Sequence, residues 1–374
     1  MVPHIAFRRR ERGPGRQGPL LGRMAVFHRT SYLPGAAWWG DRRGGDGRPI
    51  SGITQPPIAA TCLRLVLERA PDERRARRLL APLHEWHRFL LTERDPDGLG
   101  EPVLIHPWES GRDNAPEWDR PLFRIRPRLM YVRRRDTTHV EAAERPSGEH
   151  YRRYLTLVVN GTDAGWPQRR LAADGPFRVL DTGFSAMLAR ACHDLTAVAG
   201  ALGDDEIAAE SAELSEQVSA ALRRRARAGV GIPALDLRDG STLDVPSAGP
   251  ALAVLAPGVA RATVEHTRER LAGELASRWG VRSYPERSPG WSPRNYWRGP
   301  IWANLSWLCA LGLELHGDRA PADELRAQLL RFAEDAGMRE YVNPESGHGL
   351  GARRFAWTAA LTLRVLGDRR RQSA

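Results

Sequence analysis

Three short segments of this chain gather carboxylates, guanidinium groups and aromatic rings closely enough to do acid–base chemistry. The first runs His106-Pro107-Trp108-Glu109-Ser110-Gly111-Arg112-Asp113-Asn114-Ala115-Pro116-Glu117-Trp118-Asp119. A carboxyl buried there against an indole would hold its proton and could serve as a general acid. Plain structure accounts for the same residues equally well, with Asp113 or Asn114 capping a helix that Pro116 opens. The second segment is Arg294-Asn295-Tyr296-Trp297-Arg298-Gly299-Pro300-Ile301-Trp302-Ala303-Asn304, where rings and a guanidinium stand in front of an apolar helix. Arg298 has a simpler use as the partner of a nearby carboxylate. The third runs from Gly337 to Gly351. In it Glu340 follows a helix end, in a loop held by glycines and Asn343-Pro344, whereas Glu345 reads as a solvated turn residue.

The elements that must position these segments are helical. Apolar residues three and four apart predict helices at 56–70, 71–94, 178–202, 204–227, 262–279, 300–316, 320–336 and 354–366. The first two read as a hairpin that stops at the turn Asp95-Pro96-Asp97-Gly98. Less regular stretches at 116–132 and 248–257 add two more helices, and strand signals are sparse: Tyr154 to Val159 is as easily a buried helical turn. Between the helices lie segments rich in Gly, Pro and Trp at 8–54, 95–119, 281–299 and 337–353, carrying Trp38, Trp39, Trp108, Trp118, Trp291 and Trp297. Disordered linkers are poor in aromatics, so these loops read as the ordered lining of a pocket. Flat amphipathic rings suit the apolar faces of sugars. Paired helices joined by rich loops on one side are what an (α/α) barrel with its site in the mouth requires.

Bulk composition excludes the competing classes. With 41% hydrophobic and 27% charged residues among 374, the chain can bury a large core. The formal charge of +11 is no nucleic-acid footprint, because all 56 basic residues are Arg and the runs Arg8 to Arg10, Arg133 to Arg135 and Arg369 to Arg371 are scattered and lack interleaved aromatics. Cys62, Cys192 and Cys309 stand far apart in apolar helical stretches and read as buried thiols, with no disulfide framework and no metal-ligand pair. Neither a signal peptide nor a membrane-spanning apolar run is found, which places the protein in the cytoplasm.

The three segments, together with Met1-Val2-Pro3-His4-Ile5, Ser51-Gly52-Ile53-Thr54-Gln55-Pro56-Pro57 and the turn at Asp95 to Gly98, resemble the signature blocks of family-63 glycoside hydrolases. The likeness is to the bacterial branch of mannosylglycerate and glucosylglycerate hydrolases, related to trehalases, and it spans nearly the whole chain. It implies an all-α (α/α)6 barrel, a single catalytic domain over 1–374 that lacks the first helices because the chain opens directly at Met1. It further implies inversion at the anomeric carbon, Asp113 as general acid and Glu340 as general base. Trp108, Gly111 and Trp302 would contact the sugar, and Gln55, Tyr296 and Trp297 would lie toward the leaving group. No metal or cofactor is implied. The expected partner is a small α-glucoside or α-mannoside such as glucosylglycerate or mannosylglycerate. An α-glucosidase or trehalase-like enzyme on other oligosaccharides, and an inactive homologue that only binds carbohydrate, are the alternatives. Oligomeric state is not legible.

Physical chemistry agrees with the implied roles. An inverting glycosidase needs a protonated carboxyl at the glycosidic oxygen and an ionised one roughly 6.5–9.5 Å away, holding water on the opposite face. Burial among Trp108, Trp118 and the sugar would keep Asp113 protonated. Arg112, if folded back toward Asp113, would favour the anion and impair the acid.

Overall fold

The computed structural model describes residues 51–128, 134, 136–138 and 140–372. The motif at Met1 to Ile5, the tryptophans Trp38 and Trp39, and the expectation of missing first helices lie outside these residues. Helix α1 (Ala59–Leu67) and helix α2 (Glu73–Thr92) form the expected hairpin. Asp72 opens α2 by accepting a hydrogen bond from the Arg75 amide, and Leu80, Leu83, Trp86 and Leu90 fall on its buried stripe. Strand β1 (Val103–Leu104) leads into the first chemical segment. Behind it come α3 (Asp119–Phe123), α4 (Gly148–Asp163) and α5 (Gln168–Asp174). Strand β2 (Val179–Leu180) then runs straight into Asp181, whose carboxylate accepts from the Gly183 and Phe184 amides and caps α6 (Thr182–Ala201). Its hairpin partner is α7 (Asp205–Arg225).

Burial separates an inner from an outer layer. Helix α6 buries every residue from Thr182 to Cys192, whereas α7 buries a stripe that includes Ser211, Ser215, Val218 and Leu222. A helix apolar all round belongs to the centre, and a striped one covers it. Small residues in α6, among them Ala186, Ala189 and Ala191, let neighbouring backbones come close.

Strands β3 (Ala234–Asp236) and β4 (Ser241–Leu243) complete an antiparallel sheet in the order β1-β2-β3-β4, with Val103 opposite Leu180 and Val179 opposite Asp236. After a 3-10 helix at Pro250–Leu255, the remaining elements are α8 (Arg261–Ala272), α9 (Ala303–Leu315), α10 (Arg319–Ala336), the two-stranded hairpin of β5 (Tyr341–Val342) and β6 (Gly349–Leu350), and α11 (Ala356–Gln372).

Round the ring, α1 packs on α6, α6 on the Pro250–Leu255 turn, that turn on α9, and α9 on α11. The ring closes where Arg364 of α11 donates to the Leu65 carbonyl of α1 at 3.0 Å and Arg69 pairs with Asp368. Beneath the core, Asp194 of α6 joins Arg64 of α1 at 2.8 Å and Arg190 at 3.0 Å, and Arg190 reaches the Leu311 carbonyl of α9. The result is a helical barrel.

Most predicted helices stand where periodicity placed them, and three local readings change. The stretch at 116–132 holds a 3-10 turn at Pro116–Trp118 followed by the short α3. The stretch at 248–257 is the 3-10 helix Pro250–Leu255, cut short between Pro250 and Pro257-Gly258 and buried throughout from Ala251 to Leu255. Cys192 and Cys309 are buried thiols as expected, but Cys62 is exposed. Tyr154 to Val159 is helical, inside α4. No helix among the described residues is long and apolar enough to cross a membrane.

Candidate active site

The first chemical segment is anchored by a residue that carries no chemistry. Glu109 is fully buried and accepts hydrogen bonds from Arg94 Nη2 at 2.6 Å, Arg94 Nη1 at 3.0 Å, the Ile105 amide at 2.8 Å and the Thr54 amide at 3.0 Å. One carboxylate thus ties the end of α2, the exit of β1 and the segment that carries Gln55. His106 opens a 3-10 turn at Pro107–Ser110 by accepting from the Trp108 amide. Gly111 ends it with φ +69°, where a Cβ would stand 2.9 Å from Pro56. Gln55 and Gly111 therefore flank one contact, with Trp108 three residues before Gly111 and packed against His106 and Tyr154.

Arg112 does not fold back on Asp113. Its guanidinium turns inward to Glu117 and to Asp181 at 2.6 Å, all three buried, and lies over the Trp118 ring. Trp118 is also beneath the loop, its indole N–H donating to the Arg112 carbonyl at 2.7 Å. Asp113 is half-buried, and the charges that act on its carboxyl are Arg145 and Glu340 rather than Arg112. The Tyr154 hydroxyl donates to its carbonyl at 2.7 Å. Next to it Asn114 accepts from the Trp297 amide at 3.0 Å and donates to Asn295 at 2.7 Å, which joins this loop to the second segment.

Burial pushes the Asp113 carboxyl up to about 7; Arg145 opposes the rise and Glu340 adds to it. Those two perturbers bring the remote third segment to the same place. Burial raises the phenols of Tyr151, Tyr154 and Tyr296, and the charge of Asp113 adds to each, for Tyr151 after that of Asp136, so a cluster of tyrosines rather than Trp118 surrounds the Asp113 carboxyl.

Glu340 is buried and receives the Arg145 fork, Nη2 to Oε2 at 2.7 Å and Nη1 to Oε1 at 3.1 Å. The Ala352 amide donates to Oε2 at 2.8 Å. Two of these three donors lie on Oε2 and one on Oε1, which leaves Oε1 room for a further donor. The hairpin bearing Glu340 docks on the entry of α9 through reciprocal amide–carbonyl bonds of 3.0 Å between Ile301 and Val342. Glu345 is exposed in the turn, as its sequence suggested.

The second segment supplies a wall. Tyr296 takes a left-handed conformation, φ +44°, with its ring edge-on to Trp302 and Tyr341 and beneath the Arg145 guanidinium, 4.8 Å from centroid to Cζ. Trp297 stacks on Trp302 at 4.2 Å, and Trp302 also stacks on Tyr341 at 4.7 Å. At 2% exposure Trp302 has no open face to lay on a sugar, and its indole N–H is committed to the Tyr296 carbonyl at 2.9 Å. It supports the wall from behind. Arg298 takes its simpler role, pairing with Asp119 beside His150.

Asp113, Glu340, Tyr296 and, through the Asn114 bridge, Trp297 thus converge, with Gln55, Trp108 and Gly111 on the adjoining rim. Sequence reading missed Arg145, Glu144, Tyr151 and Tyr154. A lone Arg among 56 has no signature, and the Pro146-Ser147-Gly148 that follows it signals only the start of α4. No group of three or more His, Cys, Asp or Glu that could hold a metal ion occurs among the described residues.

Comparison with known proteins gives this geometry a context. Residues 1–358 match the family described as mannosylglycerate hydrolase MGH1-like glycoside hydrolase domain. A mannosylglycerate hydrolase of Thermus thermophilus is 39% identical over 90% of this chain and 83% of its own length. A glucosylglycerate hydrolase of Mycolicibacterium hassiacum is 31% identical over 98% of this chain and 83% of its own. The crystal structure of a GH63 mannosylglycerate hydrolase from Thermus thermophilus, in complex with Tris and D-glycerate, superposes with a TM-score of 0.82 at 36% identity, covering 93% of this chain and 85% of that one.

Proposed function

From the premise that this chain belongs to the mannosylglycerate hydrolase MGH1-like glycoside hydrolases, we propose that it hydrolyses an α-linked glycoside of glycerate, mannosylglycerate or glucosylglycerate, with inversion at the anomeric carbon. Asp113 is the general acid and Glu340 the general base, and the chain acts as one catalytic unit.

The observation that carries this reading is the opposed environments of two neighbouring carboxyls. Burial holds a proton on Asp113 up to about 7, while Glu340 receives a guanidinium fork and a backbone amide. One carboxyl that keeps its proton and a second placed to receive one from water are what an inverting glycosidase needs. Asp113 gives its proton to the glycosidic oxygen as the bond from that oxygen to the anomeric carbon breaks. A water donating to Glu340 Oε1 attacks the anomeric carbon from the opposite face and passes its proton to Glu340. Glycerate leaves with the Asp113 proton, and the sugar leaves as the inverted anomer. Gln55 and Tyr296 face the glycerate, and Trp108 and Gly111 the sugar, while Trp297, 3% exposed and stacked on Trp302, stands behind them. Trp302 acts through the rings it backs. Three unpaired thiols fit a reducing, cytoplasmic compartment.

The test is turnover of both glycerate glycosides and of trehalose, with the first-released anomer read by NMR. Asp113→Asn and Glu340→Gln are each expected to abolish turnover. Release of the retained anomer, or a near-normal rate in either variant, overturns the assignment.

A further inference from the structure

We propose that Glu144 is a positioning residue for the base: through its contact with Gly351 it sets where the Glu340 carboxylate lies, without touching substrate. The inference rests on the role of Glu340 proposed above. Glu144 ends the 3-10 turn Ala142–Glu144, is 6% exposed, and uses every acceptor it has on elements remote in sequence. Its Oε2 accepts from the Gly351 amide at 2.8 Å, its Oε1 from Arg294 at 3.2 Å, and its carbonyl from the Tyr341 hydroxyl at 2.6 Å.

Gly351 is the pivot. It has φ +66°, and a Cβ on it would lie 2.5 Å from Glu340 Oε2 and 2.6 Å from the Tyr341 ring, so its backbone is pressed against the base itself. The next residue closes the circuit: the Ala352 amide donates to Glu340 Oε2 at 2.8 Å, and the Ala352 carbonyl accepts from the Glu340 amide at 3.0 Å. Drawing Gly351 away from Glu144 moves the donor that fixes one base oxygen. Arg145, adjacent in sequence, fixes both oxygens from the other side. The dipeptide Glu144-Arg145 is thus a dock with two halves, one gripping the backbone behind the base and one gripping the base.

Two near-conservative variants separate reach from charge. Glu144→Gln keeps an oxygen at the same reach for the Gly351 amide and gives up the charge and the acceptor that face Arg294, its NH2 turned toward that guanidinium. Glu144→Asp keeps the charge and withdraws the carboxylate by one methylene. Misplacing a reacting group by about 1 Å can cost about 10²-fold in rate. The expected result, with mannosylglycerate or glucosylglycerate as substrate, is that kcat of Glu144→Asp falls about 10- to 10²-fold with KM little changed, and that Glu144→Gln recovers most of the rate. A normal kcat in Glu144→Asp overturns the proposal, as does a Glu144→Gln no better than Glu144→Asp or a loss carried mainly by KM. Glu340→Gln run in parallel separates the two readings. Turnover surviving there removes the assigned base, whereas a dead Glu340→Gln beside an unimpaired Glu144→Asp removes only the role of Glu144.

Discussion

The acid side chain works against its own ionisation. Asp113 is raised from 3.8 to about 7 by burial, with Glu340 adding to the rise and Arg145 opposing it. Its proton-bearing fraction, and with it kcat/KM for a glycerate glycoside, should fall about tenfold per pH unit above about 7. A profile flat to well above that point would contradict the assignment. Because the folded value lies above the free one, the native state favours the protonated form. That stability is fully present below 3.8 and lost as pH rises through about 7. Asp113→Asn should therefore unfold at a higher temperature than the parent above about 7, with the difference vanishing below 3.8, as thermal melts at the two ends would read. A destabilising group kept in the site fits the proton-donor role proposed for it.

At the scale of elements, two contacts decide whether the loops reach the mouth. The Arg94–Glu109 pair is 1% and 0% exposed and braces three chain segments. Removing one charge leaves its partner buried and unpaired, so Glu109→Gln should cost about 3–5 kcal/mol in denaturant unfolding. A loss below 1 kcal/mol would mean that the brace is redundant. The inner layer depends on close approach: a Cβ at Gly312 of α9 would lie 2.5 Å from the Val254 side chain and 2.8 Å from its carbonyl carbon. Gly312→Ala should destabilise by about 1–3 kcal/mol through overpacking, despite the better helix propensity of alanine. A stabilised variant would show that α9 and the Pro250–Leu255 turn can part freely.

The whole molecule carries a formal charge of +11 and is proposed to act on an anion. A net field of that sign raises the local concentration of an anionic substrate and is screened by salt. Raising ionic strength should lower kcat/KM for mannosylglycerate or glucosylglycerate while leaving that for an uncharged α-glycoside nearly constant. Parallel salt curves for the two would assign the arginines to composition alone.

Much of this molecule is written locally. Periodicity located α1, α2, α6, α7, α9 and α10, since a buried helix face must repeat at its own pitch. The turn at Asp95 to Gly98 and the loops rich in aromatics and glycine were legible for the same reason: their constraints act between near neighbours. Resemblance of their sequence blocks to a family singled out Asp113 and Glu340 for the roles proposed here, and Glu345 read as the exposed turn residue it is. What the chain could not disclose is which charges meet. Arg112, adjacent to the acid, is drawn inward by Glu117 and Asp181, while Arg145 from another loop faces both carboxyls. Trp302, expected against the sugar, is closed behind Trp297 and Tyr341. Propensity and pattern are properties of neighbours along the chain, but ion pairing and ring stacking depend on distances through space, and those are set only when the ring of helices closes.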